Sequence, residues 1–194
     1  MPTPRIAMLS LESSVAAAEE VGIPTQLAKL NIFRTLLRLP KTAKAVNDLL
    51  LSILFGGALD DRLRELVIMR LGWATGSEYE WTQHWSIAQD AFGCTPEEIL
   101  AVRDWENAEI LGDVERIVLQ ATDETLATGA ASETTIARCR ELLDSDDAVI
   151  ELVTAISAWR SISQIARSLD IPLEAGVESW PPDGLVGPGS VSGA

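Results

Sequence analysis

The sequence predicts an all-α fold, a single-domain bundle of about eight helices. Two observations carry this prediction. Apolar residues recur at helical spacing, as in Leu27, Leu30, Ile32, Phe33, Leu36 and Leu37, and again in Val46, Leu49, Leu50, Ile53 and Leu54. No segment shows the clear period-two alternation of a strand, and no internal repeat stands out. The chain has 194 residues, 47% of them hydrophobic, enough to fill one domain core.

The elements follow in order. Residues 1–10 read as an arm. Leu11 to Val21 is alanine-rich and ends at Gly22-Ile23-Pro24. Thr25 starts a helix towards Leu39, and Pro40 interrupts it. The next runs from about Thr42 to Phe55, where Gly56-Gly57 stops it. Asp60 or Asp61 caps a helix through about Ala74. Gly76 breaks the chain, and Ser77 restarts it in a helix to about Phe92. Thr95-Pro96-Glu97-Glu98 places a cap, a first-position proline and a third-position glutamate before a short helix ending near Asp104. Asp113 caps another to about Thr128, and Ser132 or Glu133 opens one to about Leu143. Asp146 or Asp147 opens the last long helix, to about Leu169. The acidic Asp144-Ser145-Asp146-Asp147 run lacks calcium-loop spacing and reads as that helix's start. The expected division is an N-terminal helical extension at 1–40, a core at 42–170, and an irregular tail at 171–194 with Trp180 docking on the body.

Charge narrows the function. There are 29 Asp and Glu against 15 scattered Lys and Arg, a net charge of -14. Nucleic-acid binding needs clustered cations, and an anionic membrane surface repels such a chain. No uninterrupted apolar segment approaches the ~20 residues needed to span a bilayer. Residues 1–5 show no basic region leading into an apolar run. Cys94 and Cys139 form no CxxC pair and read as buried thiols in a reducing compartment. A cytoplasmic protein acting on a small molecule is the expectation.

The chemistry concentrates in one stretch, Arg64-Glu65-Leu66 through Gly76-Ser77-Glu78-Tyr79-Glu80-Trp81-Thr82-Gln83-His84, which holds the chain's one histidine. Suppose the helices on either side of Gly76 form an antiparallel hairpin. Glu65 and His84 then both lie roughly 12–16 Å from the turn, at about 1.5 Å per residue, and face each other. Glu80 and His84 are four apart and share a helix face. Two carboxylates in different environments beside an imidazole suit proton transfer. Two other readings stay open. Ser77 to Glu80 is also a capping-box pattern. Glu65, Glu80 and His84 could in principle ligate a divalent ion, although no further histidine or thiolate stands nearby. Tyr79, Trp81 and Trp85 fit packing as well as an aromatic pocket.

Taken together, the stretch resembles the carboxymuconolactone decarboxylase family, which includes the alkylhydroperoxidase-D-like proteins. The residues that carry the resemblance are Arg64-Glu65-Leu66, Gly76 to His84, Ala88 to Gly93 and Pro96-Glu97-Glu98-Ile99, with a weaker echo at Ile171–Leu173 and Trp180–Pro181. The resemblance implies an all-α fold whose subunits assemble into dimers, trimers or hexamers. In the family's peroxidase branch a Cys-x-x-Cys pair precedes the histidine. Here Ser77 and Glu80 stand at those positions, so the resemblance points away from thiol peroxidase chemistry and towards the decarboxylase-like branch.

That branch implies a lyase-type, cofactor-free and metal-free reaction on a small lactone, carbonyl or carboxylate compound, or a repurposed isomerase or cyclase. His84 would donate the proton, Glu80 would orient it, and Glu65 would be a second acid–base group. Tyr79, Trp81 and Ser77 would contact the substrate, and Arg70 or Arg160 would take its carboxylate. The alternative is a non-catalytic helical oligomer of the same family that binds a ligand.

Overall fold

In the computed structural model, which describes residues 4–190, nine α-helices and no strand are found among the described residues. They are α1 (Leu11–Val21), α2 (Asn31–Leu36), α3 (Pro40–Leu54), α4 (Asp61–Thr75), α5 (Glu78–Asp90), α6 (Pro96–Ala101), α7 (Asp113–Thr128), α8 (Glu133–Leu143) and α9 (Asp146–Leu169). The all-α prediction holds. None of these helices is long and apolar enough to cross a membrane.

Helix α4 lies at the centre. Leu66, Val67, Ile68, Met69 and Leu71 are all without solvent exposure, and Arg64 and Glu65 are buried with them. A helix buried on every side is core rather than surface. It packs against α5, α7 and α9. It begins where the Asp60 carboxylate accepts the Leu63 amide at 3.0 Å, and it ends at Gly76, whose φ of +67° suits a left-handed cap. Helix α5 then folds back on α4. Gly72 allows the close approach: a Cβ there would lie 3.0 Å from the Trp81 backbone nitrogen. A second apolar cluster is built by α1, α2 and α3 with Tyr79 of α5 and Ile162, Ala166 and Ile171.

Four boundary expectations change. The segment from Thr25 to Leu39 is a 3-10 turn at Leu27–Lys29 and then α2, because Leu30 between them is extended at φ −71°, ψ 137°. Tertiary bonds fix that break: the Asn31 amide donates to Glu174 at 2.7 Å, and its side chain donates to the Pro172 carbonyl at 3.1 Å. Pro40 starts α3 instead of preceding it, since the first helical position needs no N–H. Gly112 stands at the cap of α7, with Glu115 accepting its amide at 3.0 Å, and Asp113 is the first helical residue. Ser77 makes no capping bond, and its hydroxyl is buried without a partner. The capping-box reading of Ser77 and Glu80 therefore fails. The capping box at Thr95 and Glu98 forms as expected.

Residues 171–190 are irregular yet packed. Trp180 is 4% exposed and sits 6.0 Å from Trp73 and 6.2 Å from Trp81, ring centre to ring centre. The Trp81 indole donates to the Pro181 carbonyl at 2.8 Å. The Arg103 guanidinium lies 4.6 Å over Trp73 and 4.8 Å over Trp81, and binds Asp183 at 2.7 Å. Polar bonds and stacking thus hold down a segment whose prolines and glycines keep it from forming a helix. At the other end, Arg5 and Leu9 donate their amides to the Leu169 and Arg34 carbonyls. The outermost parts of the expected arm and tail, 1–3 and 191–194, lie outside the described residues.

Candidate active site

The hairpin of α4 and α5 brings Glu65, Glu80 and His84 together. His84 Nδ1 lies 2.8 Å from Glu65 Oε2. Its other ring nitrogen, Nε2, accepts the indole N–H of Trp159, on α9, at 3.1 Å. An indole nitrogen can only donate, so Nε2 carries a lone pair here and the ring proton sits on Nδ1, given to Glu65. Glu80 Oε2 is 3.9 Å from the same Nε2.

The three groups differ in what surrounds them. Glu65 is without solvent exposure, and Arg64, equally buried, lies 3.5 Å away. Arg64 also pairs with Asp61, donates to the Ile53 carbonyl and stacks 4.5 Å over Phe92. Glu80 is 4% exposed, and among the described residues its carboxyl accepts no hydrogen bond. Burial pushes the Glu80 carboxyl up to about 7, aided by the Glu65 charge and opposed by His84. Burial would lower the His84 imidazole, but the charge and hydrogen bond of Glu65, with the Glu80 charge, outweigh it and leave His84 above its ordinary value. Both groups thus hold a proton more tightly than they would in water, and they lie close enough to exchange one.

Glu80, His84 and Trp159 open onto a cavity of about 150 Å3. Its walls are Ile32, Phe33 and Leu36 of α2, Leu50 and Leu54 of α3, and Ile162 of α9. Tyr79 and Gln83 add polar groups, but both already bind Glu174, the tyrosine hydroxyl donating at 2.7 Å. Burial and then the Glu174 charge raise the Tyr79 phenol, which stays a neutral donor. No lysine or arginine lines the cavity.

The other expected contacts lie elsewhere. Arg70 clamps Asp123 with two bonds of 2.7 Å and donates to the Val102 and Arg103 carbonyls, a structural cross-link. Arg160 donates to the Thr125 carbonyl and faces a different cleft, which Ser77 also lines. Trp81 is fully buried beside Trp73 in the main core. Of the five expected substrate contacts only Tyr79 reaches the pocket. Cys94 and Cys139 are buried away from it; burial first, then nearby carboxylates, pushes the Cys94 thiol up to about 12. No group of three His, Cys, Asp or Glu side chains suited to a metal ion occurs among the described residues.

Trp159 is the site residue that sequence reasoning missed. It comes from 75 positions further along, and helix periodicity marks it as buried without giving the register of α9 against α5. Arg64 was also legible only as part of a pattern, since a charged residue at full burial contradicts its ordinary preference.

Residues 40–124 match the carboxymuconolactone decarboxylase family. The family segment carries Glu65, Glu80 and His84, whereas Trp159 and the α2 wall of the pocket lie outside it. No curated protein sequence is significantly similar to this chain. Several solved structures are. One is an uncharacterized peroxidase-related protein with an alkylhydroperoxidase AhpD core from Ralstonia eutropha JMP134, with 15% identity, a TM-score of 0.73, and 96% of this chain and 99% of that one covered. A protein of unknown function, ATU0492 from Agrobacterium tumefaciens, has 21% identity and a TM-score of 0.65 over 72% of this chain and 95% of that one. A cysteine-to-alanine variant of the debrominase Bmp8, solved with 2,3,4-tribromopyrrole, has 20% identity and a TM-score of 0.63 over 85% and 86%. What these three share with this chain is its all-α fold.

Proposed function

We propose that this protein is an acid–base enzyme that moves a proton on a small, uncharged carbonyl or lactone compound, with Glu80 as the group that meets the substrate. One observation carries the reading: a carboxyl 4% exposed, accepting no hydrogen bond, faces an apolar pocket 3.9 Å from an imidazole. A carboxyl this buried that accepts no hydrogen bond is costly to stability, which fits a group kept for a task. The pocket suits a single ring, since an apolar cavity of about 150 Å3 takes up a benzene-sized molecule. The tribromopyrrole held by the debrominase is also a small ring.

In this reading Glu80 takes a proton from the carbon beside the carbonyl, and the C–H electron pair becomes an enolate. The proton passes to His84 Nε2. That nitrogen then has no lone pair to offer, so the Trp159 N–H is released to donate to the substrate's negative oxygen. Glu65 keeps the imidazole oriented and stabilises its positive charge. Returning the proton to another carbon completes an isomerisation. Decarboxylation is the weaker form of the reading, because a substrate carboxylate would meet the Glu80 carboxyl and find no lysine or arginine in the pocket. Ser77 and Glu80 at the thiol positions, with Cys94 held as a buried thiol, give thiol peroxidase chemistry no support.

The test is proton exchange in D2O followed by NMR, with single-ring ketones and lactones and with their carboxylate-bearing analogues. The reading expects catalysed deuterium uptake by the neutral rings, at least about tenfold faster than by the charged ones. No catalysed exchange with any neutral ring, or preference for the carboxylates, would overturn it.

A further inference from the structure

A second cavity, of about 760 Å3, opens beyond Tyr79, on the side of the fold where Ser77 begins α5. That volume falls in the roughly 300–1,000 Å3 range of small-molecule sites. Its character is opposite to that of the apolar pocket. Helix α9 presents Arg160, Ser163, Gln164 and Arg167 to it, a spacing that puts all four on one helical face. Arg5 joins them from the N-terminal arm.

The three arginines are held in place yet electrically unspent. Arg160 donates to the Thr125 carbonyl at 2.9 Å, Arg167 to the Gly189 carbonyl at 2.7 Å, and Arg5 to the Ser168 carbonyl at 3.0 Å. Among the described residues none of the three has an ion-pair partner. In a chain of net charge -14, three such cations on one cleft need a reason. The cleft's own carboxylates do not supply it: Glu78 takes the Ser179 hydroxyl, and Asp170 is exposed.

A second, independent observation points to a ligand. Ser77 is without exposure and Ser163 is 1% exposed, both line this cleft, and neither hydroxyl has a hydrogen-bond partner. Helical serines ordinarily bond back to their own backbone, and serines at helix starts ordinarily cap. These two do neither. With Ser77 idle, no side chain caps α5, so the positive end of that helix faces the same space.

We propose that this cleft binds a small organic polyanion, whose carboxylate or phosphate oxygens are taken by Arg160 and Arg167 and by the Ser77 and Ser163 hydroxyls. Guanidinium forks and hydroxyl donors are the usual partners of both oxygen types.

Calorimetric titration of the full chain with citrate and with pyrophosphate, and with glycerol as an uncharged control, tests this. Saturable binding of at least one anion and none of glycerol is expected, and the preferred anion identifies the head group. Arg160→Gln with Arg167→Gln weakens binding by at least about tenfold, or 1.4 kcal/mol. Should that double variant fail to fold, Ser163→Ala decides: it removes an unpartnered hydroxyl, so the free protein is no less stable than wild type while affinity drops severalfold. Binding of neither anion at millimolar concentration, or equal affinity in the variants that fold, overturns the proposal.

Discussion

Replacing Glu80 by Gln is expected to slow catalysed proton exchange by about 10²- to 10⁴-fold, the usual contribution of a positioned acid or base. The same substitution is expected to make the protein more stable above neutral pH. An ordinary glutamate loses its proton near 4.5, whereas Glu80 in the folded protein holds it to about 7. Between those values the unfolded chain releases a proton that the folded chain keeps. Stability therefore falls as pH rises through that window, by ~3 kcal/mol in order of magnitude, and the loss persists above it. Gln does not titrate, so the variant escapes the loss. Urea denaturation at pH 4 and pH 8 checks this: the variant gains relative to wild type only at pH 8. Equal stability at both pH values would show that Glu80 is not held in a destabilising place.

Glu65→Gln is expected to have the largest effect on stability. The Glu65 carboxylate is fully buried between Arg64 at 3.5 Å and His84 at 2.8 Å. Its loss leaves the buried Arg64 with only the exposed Asp61 as a carboxylate partner. Breaking a buried ion pair from one side typically costs about 3–5 kcal/mol. For a chain of this length that lowers the Tm by on the order of 10 °C. Adding Arg64→Met to the variant removes the stranded charge and is expected to recover part of the loss. A double variant worse than Glu65→Gln by the full cost of Arg64→Met alone would mean that the two side chains do not depend on each other.

The sequence showed one half of this site. Glu65 and His84 could be set opposite each other because a single glycine turn fixes the register of two adjacent helices, and arithmetic from Gly76 gives the rest. The caps at Asp60, Thr95, Ser132 and Ser145 were legible, wholly or to within a residue, because capping is local chemistry. Ser77 misled for the same reason. The pattern of a capping box is present, but tertiary packing turned the Glu80 carboxyl to the pocket and left Ser77 idle. Trp159 and the α2 and α3 walls come from segments far along the chain, where no turn sets the register. Arg70 and Arg160 looked alike as candidate anion contacts. Only the fold shows that Asp123 neutralises one and that the other faces a separate cleft.

The central claim is that one imidazole, fixed by Glu65 and Trp159, shares a proton with Glu80. The chain has a single histidine, so its ring nitrogens can be followed by 15N NMR without ambiguity. Titrating the wild type and Glu65→Gln gives the decisive reading. In the wild type the neutral ring should carry its proton on Nδ1 and should protonate above its ordinary pKa of 6.5, and Glu65→Gln should bring that pKa down. A neutral ring protonated on Nε2, or a wild-type pKa below 6.5, would contradict the account.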